Sequence, residues 1–364
     1  MRKILLTTTA FVALGSVAAV AADVSVSGNA RFRYNTWSDD NALPATDAGA
    51  NNTSMTDVLQ LWINSSATTD SGLSIGTNTR ILTDGSVDRN WIDIDGDFGK
   101  IDLGKQWSLS YSGSLHENWM GTVAGGVFMG GSTNGAAVAA RDSVDAQSGR
   151  AAVATRAAAA ATGLAGMNST GFIGGSKANK VVYHMPSVGG LNAAVGYADA
   201  GALLGSDETT AQLSYTMPMA GGSLKLNMVT IATDGTTETA AESDGRELGV
   251  EYSGGFGRVY ALSQNTETTT IAGVSTNDQE GTTFGGTYNL NSATKLVYYN
   301  QNVDQDGTTD NGDKFSSDTI GVRYDMAGGL RVGLLHSNYD FTDAGVAANS
   351  ENGSATRLQV RVNF

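Results

Sequence analysis

RLQVRVNF, residues 357–364, ends the sequence and sets how the rest is read. Arg357, Gln359, Arg361 and Asn363 alternate with Leu358, Val360, Val362 and Phe364. Side chains of an extended chain point to opposite sides in turn, so this is a strand with one polar and one apolar face. The same period opens the chain after residue 23. VSVSGNARFRY (24–34) sets Val24, Val26, Ala30, Phe32 and Tyr34 against Ser25, Ser27, Asn29, Arg31 and Arg33. LSIGTNTRI (73–81) sets Leu73, Ile75 and Ile81 against Ser74, Asn78 and Arg80, and DTIGVRYDM (318–326) repeats the pattern. A two-faced strand in last place, matched by a two-faced strand in first place, suits a sheet that closes on itself.

The connections between such segments fall into two sets. One is short and Gly-rich: TTDSGL (68–73), GDFGK (96–100), MPSVGGL (185–191), MPMAGGS (217–223), SGGFGR (253–258), NLNSAT (289–294) and DMAGGL (325–330). The other is long, polar and acidic, as in 36–54, 233–245, 265–279, 303–314 and 341–354. Short and long alternate, and in an antiparallel meander alternate connections lie at opposite ends. One end therefore carries tight turns and the other long loops, the mark of an outer-membrane barrel with short periplasmic turns and longer extracellular loops. About sixteen segments of about ten residues follow one another, with centres from near 29 to near 359, an even number and a length that crosses a bilayer when tilted. Seven short turns and eight long loops connect them, with both termini on the short-turn side. Closure satisfies all backbone polar groups in a solvent that offers no partner.

Composition agrees. Of 364 residues, 47 are Gly, 3 Pro and none Cys, so disulfides and thiolate chemistry are excluded. The charged share of 16% is low for a soluble domain, and the apolar share of 40% is low for a helical membrane protein. A net charge of −14 excludes nucleic acid as a partner, because nothing replaces phosphate counterions. Residues 1–22 read as a signal peptide: Arg2 and Lys3, an apolar run from Ile4 to Val20, then the small-residue site AVAA at 19–22. Residues 23–364 are then the barrel. Its removal of two cations hints at a weakly cation-preferring mature chain. Among connections one stands out: 107–178 is too long for a structureless loop in a compact fold. Its alanine-rich part, 136–166, suits a short helix, with Arg141 and Asp145 four apart, or a low-complexity insertion.

The ordered set of GDFGKIDLGKQ (96–106), NKVVYHMPSVGGL (179–191) and the closing strand on Phe364 resembles the general porins of Gram-negative outer membranes, of alphaproteobacterial type. That resemblance implies a homotrimer of sixteen-stranded barrels, each with its own water-filled pore, and a third loop folded into the lumen. It also implies that outer-membrane assembly machinery reads the terminal Phe364. The chain departs from the family in lacking its acidic Pro-Glu-Phe-Gly-Gly loop motif, for which Glu117-Asn118-Trp119-Met120-Gly121 is the nearest stretch, and in carrying Lys105 where Arg is usual.

A pore selects by size and by charge at its narrowest ring. Alternation turns Arg31, Arg33, Arg80 and Arg357 into the lumen, with Arg361 nearer the short turns. Facing acids of the long loop, with Glu117, Asp142 and Asp145 as candidates, would set a transverse field. The plainer reading makes all of these solvated lumen charges. Asp93, Asp95 and Asp97 miss the calcium-loop template, and a solvated turn is favoured there. Asp304, Asp306, Asp310 and Asp313 can hold calcium weakly, bridging to lipopolysaccharide, although exposed-loop solubility explains them as well. Trp37, Trp62, Trp91, Trp107 and Trp119 suit interfacial girdles or contacts within the protein. His116, His184 and His336 are scattered, and no Gly-x-Ser-x-Gly nucleophile motif occurs, so no enzyme is indicated.

The expected function is a passive channel for small hydrophilic solutes and ions in the outer membrane, in contact with its lipids and lipopolysaccharide. Two rivals remain: a substrate-specific channel of the same fold, and a secreted surface-layer or adhesin protein.

Overall fold

The computed structural model describes residues 23–39, 53–115, 177–199, 206–235, 242–269, 275–306, 312–342, 344 and 351–364. The segment read as a signal peptide lies outside them. Sixteen strands follow in order: β1 (Asp23–Asp39), β2 (Thr53–Thr68), β3 (Ser74–Leu82), β4 (Val87–Gly96), β5 (Gly99–Trp107), β6 (Lys177–His184), β7 (Leu191–Ala198), β8 (Ser206–Met219), β9 (Gly222–Gly235), β10 (Glu242–Gly254), β11 (Gly257–Thr269), β12 (Ser275–Asn289), β13 (Thr294–Asp306), β14 (Asp313–Asp325), β15 (Leu330–Thr342) and β16 (Glu351–Asn363). Each pairs antiparallel with its chain neighbours, and β1 pairs with β16, so the sheet is a closed barrel. All sixteen centres expected from the sequence fall inside strands.

The usual distribution of polarity is inverted. Val26, Phe32, Val195, Leu213, Leu248, Phe284, Ile320, Leu334 and Leu358 are exposed on the outside. Asn29, Arg31, Arg33, Thr210, Asn227, Gln264, Thr283, Gln301, Thr319 and Gln359 are buried on the inside. This is the arrangement a strand adopts between hydrocarbon and a polar interior. Apolar side chains also reach inward, among them Val182, Tyr260, Val297, Tyr299 and Leu335.

The connections correct two expectations. The link between β3 and β4 is a four-residue turn, Thr83–Ser86, although it lies on the end expected to carry long loops. The Asp84 carboxylate accepts from the Ser86 backbone N–H (2.9 Å) and hydroxyl (2.6 Å), and Gly85 supplies the positive φ of 79°. Those two bonds hold the Asp84 carboxyl below its ordinary pKa. Several stretches read as loops begin and end as strand: β9 continues to Gly235, β11 to Thr269 and β13 to Asp306. Their Thr, Asn and Asp residues pair across strands and project the barrel past its apolar band. The wall is correspondingly uneven, with 8–10 residues per strand from β3 to β7 and 13–15 from β8 to β16.

The aromatic band at the short-turn end is built of Phe and Tyr. Phe98, Tyr215, Phe256, Tyr288, Tyr324 and Phe364 are exposed there. Tyr252 stacks on Phe256 at 5.7 Å and donates to the Ala220 carbonyl at 2.8 Å, and Tyr183 donates to that of Phe98 at 2.6 Å. Trp62 and Trp91 are not in this band. Their register with Arg80 and Asn78 puts them on the inner face, where two guanidinium groups lie over the Trp62 indole. Of the tryptophans, Trp119 lies outside the described residues.

Candidate functional site

The lumen wall divides into a cationic arc and an arc that anchors the third loop. The cationic arc runs over β14, β15, β16 and β1. Arg31 lies directly opposite Arg361, which lies opposite Arg331 on its other side; Arg33 lies opposite Gln359, and Asn35 opposite Arg357. Arg31, Arg33 and Arg357 are buried within the wall. Arg33 donates Nε to the Gln359 side-chain oxygen (2.8 Å) and Arg361 donates to that of Asn363 (2.6 Å). These amides orient the guanidinium groups without neutralising them. Lower down, Arg323 (2.8 Å) and Arg331 (2.5 Å) share the single carboxylate of Asp325. Cross-strand like charges repel, and these amides hold Arg33 and Arg361 in place against that repulsion.

Arg80 belongs to a separate group on β3 and β4. A bulge between Arg80 and Ile81 leaves Asp88 and Arg89 both facing Arg80's side of the ladder. Arg80 Nη2 lies 2.5 Å from Asp88 Oδ2, Arg89 Nε lies 3.4 Å from the same oxygen, and Lys177 bonds Asp88 Oδ1. Arg80 is thus lumenal, as are Arg31, Arg33 and Arg357, but it is not part of their ladder.

The opposite arc holds the root of the third loop. After β5 comes Ser108 and a single helical turn, α1 (Leu109–Ser112). Leu109 packs with Val182 of β6 and Ala194 of β7. Ser108 and Lys180 both bond the carboxylate of Glu208 on β8. The Gly113 carbonyl accepts from Gln212 Nε2 (3.1 Å) and Asn227 Nδ2 (3.0 Å) on β8 and β9. Glu247 of β10 is fully buried and accepts from Ser114 Oγ (2.5 Å), the Leu115 N–H (3.2 Å) and Gln264 Nε2 (3.1 Å). Leu115 then packs on Tyr260 and Leu262 of β11, while Arg258 bonds its carbonyl. Residues 108–115 therefore cross the inner wall from β6 to β11, fastened at each strand. A loop so rooted starts inside the barrel.

Glu117, Asp142 and Asp145 lie outside the described residues, as does the alanine-rich stretch. Lys105 is on the outer face, exposed. Among the described residues no group of three or more acidic or histidine side chains is placed to hold a metal ion. Asp93 accepts from Asn78, Asp304 pairs with Lys314 at 3.1 Å, and Asp310 is not described. His184 lies 3.1 Å from Asp102, and His336 bonds Thr356 on the outer surface, so these two do not meet; His116 lies outside the described residues.

Sequence reasoning missed Glu208, Glu247 and Asp88. The first two were detectable: in ELGVEYSG, Glu247, Gly249 and Glu251 alternate with Leu248, Val250 and Tyr252, the same signal that placed Arg31. Asp88 was not, because its inward aim comes from a bulge.

A sequence model described as Gram-negative porin matches residues 7–362. No curated protein sequence matches significantly. Among solved structures the chain is similar to an anion-selective porin from Comamonas acidovorans, with 16% identity, TM-score 0.64, and coverage of 94% of this chain and 100% of that one. It is similar to the trimer form of in-vitro folded OmpT, an outer membrane protein of Vibrio cholerae, with 14% identity, TM-score 0.63, and coverage of 95% and 100%. A mutant of the Rh. blastica porin aligns with 17% identity, TM-score 0.52, and coverage of 94% and 100%. At these identities the structural likeness speaks for the fold alone.

Proposed function

The chain belongs to the Gram-negative porin family, and from that premise we propose that its outer-membrane channel, which passes small hydrophilic solutes by diffusion, favours anions at the lumen wall. The observation that carries this is the arginine arc: Arg31, Arg33, Arg357 and Arg361 lie on adjacent strands β1 and β16, with Arg33 and Arg361 oriented by amides. The net negative charge of the chain is the wrong quantity for selectivity, because much of it is outside. Asp244, Glu267, Asp278 and Asp306 are successive cross-strand neighbours on the outer face of β10–β13, above the apolar band. Fixed charge lining a narrow path acts on permeating ions far more than charge a Debye length away. One similar structure is described as an anion-selective porin, which agrees. No chemical step is part of this reading.

The proposed assembly is a homotrimer, in line with the trimer form of one similar structure. On the outer face, Val24, Ser65, Thr77, Ile92 and Leu103 are successive register neighbours. Ser65 and Thr77 bond each other at 2.8 Å, and Thr79 bonds Asn90 at 3.2 Å. Two hydroxyls inside an otherwise apolar row suit a face covered by protein better than one covered by acyl chains. The low wall of β3–β7 lies beside the same sector.

The test is single-channel conductance of the purified oligomer in a planar bilayer, with reversal potential under a KCl gradient. Ohmic steps with chloride preferred over potassium are expected. A cation preference would overturn the charge assignment.

A further inference from the structure

We infer that the lumenal cluster on β2–β4 is a saturable binding subsite for aromatic carboxylates. It rests on the channel reading, and goes beyond it by naming a solute class and a place. In the register Trp62 lies opposite Arg80, and Arg80 opposite Arg89, so indole and both guanidinium groups form one inward row on three strands. The Arg89 guanidinium carbon lies 4.8 Å from the Trp62 ring centroid and that of Arg80 5.7 Å. Trp91 meets Trp62 edge-on, with centroids 6.0 Å apart.

Charge in this cluster does not balance. Arg80, Arg89 and Lys177 all converge on the one carboxylate of Asp88, whose side chain is only 4% exposed. Three cations on one anion leave a surplus of two charges at a point where directly opposed arginines already repel. Arg89 is the least engaged, its Nε at 3.4 Å being beyond a good hydrogen bond. The Trp91 indole N–H is buried and has no hydrogen-bond partner among the described residues, although buried indole donors normally find one. The site thus has donors and positive charge in excess. Side-chain exposures of 15%, 18% and 31% for Arg80, Arg89 and Lys177 leave it open to the pore.

A second carboxylate supplies what is missing. Chloride or acetate would satisfy the charge alone. A planar aromatic anion satisfies more, because its ring can also lie against the Trp62–Trp91 pair. Guanidinium groups already held over an indole lose little further freedom on binding a carboxylate. Binding must stay weak enough to release the solute into the path, so the subsite concentrates and passes its ligand rather than retaining it.

The test uses the full oligomer in a planar bilayer in KCl, with sodium benzoate or sodium acetate added at constant ionic strength and chloride current recorded. Benzoate is expected to reduce the current saturably, with half-block at a concentration about tenfold below that of acetate, the factor one stacking contact supplies. Trp62→Leu should raise the benzoate half-block several-fold more than that of acetate, and Arg89→Gln should raise both. Arg89→Lys, which retains charge and foldability, should fall between wild type and Arg89→Gln. Equal, non-saturating effects of benzoate and acetate on wild-type channels with normal ohmic steps would overturn the subsite and leave the channel reading standing. Absence of ohmic steps in KCl would overturn both.

Discussion

Gly28 and Phe364 join the two ends of the barrel: Gly28 N–H donates to the Phe364 carbonyl at 2.7 Å, and Phe364 N–H donates back to Gly28 at 3.1 Å. A β-carbon on Gly28 would stand 2.9 Å from the Phe364 ring and 2.6 Å from the Gln60 carbonyl on the other neighbouring strand. The ring of the last residue thus covers the glycine of the first strand, on the outer face, 58% exposed. Edge strands are open templates for wrong pairing, and this contact is where the edge disappears.

Gly28→Val should therefore weaken closure by about 1–3 kcal/mol, the usual cost of overpacking. The mobility of unheated protein in SDS reports it: the folded band should diminish and melt at lower temperature. Removal of Phe364 should lower folded yield in cells while leaving the conductance of channels that do fold unchanged. Normal yield with altered conductance would contradict the role of this contact in assembly.

Glu247 offers a second test, at the loop root. It satisfies Ser114, Leu115 and Gln264 together. Glu247→Ala would take that acceptor from the buried Leu115 N–H and Gln264 amide, each costing about 1–3 kcal/mol, and from Ser114. The root of the third loop should then detach from β10, giving larger and noisier single-channel steps. Glu247→Gln retains an acceptor and should keep conductance closer to wild type; a quiet, unchanged Glu247→Ala channel would show that the loop needs no such anchor.

The arginine arc predicts a graded electrical response. Arg31→Gln combined with Arg357→Gln should move the reversal potential toward cation preference, and Arg33→Gln should add to it. Raising the salt concentration should shrink the difference, since lumenal charge is screened by the ions it selects. A triple variant with the reversal potential of wild type would assign selectivity to another part of the pore.

Thr77 tests the assembly. Thr77→Arg puts a charge on the outer face between Ser65 and Ile92. If this face is covered by another protomer, oligomer should be lost on gentle electrophoresis while the monomeric barrel stays folded by circular dichroism. Retention of full oligomer would place the interface elsewhere.

The barrel itself was legible in one dimension. A strand exposes every second side chain to each medium, so RLQVRVNF and VSVSGNARFRY reveal their faces without reference to any contact. Turn chemistry, in MPMAGGS or SGGFGR, marks the other end of each strand locally. The same logic failed for the acidic segments 233–245 and 265–279, because strands that rise above the bilayer need no apolar face and so resemble loops.

What only the tertiary structure decided depends on height and on neighbours distant in the chain. Alternation places Arg31, Arg80 and Arg357 on one side of a wall, yet register separates Arg80, with Asp88 and Trp62, from the ladder of Arg31, Arg361 and Arg331. The bulge that turns Asp88 inward leaves no periodic trace. Nor do the bonds from Glu247 to Ser114, 133 residues apart, for which no local pattern of polarity exists. Sequence alone determined the two-faced strand and its closure, because backbone geometry imposes a period of two; the folded barrel decided which charges meet, because closure brings together strands that the chain keeps far apart.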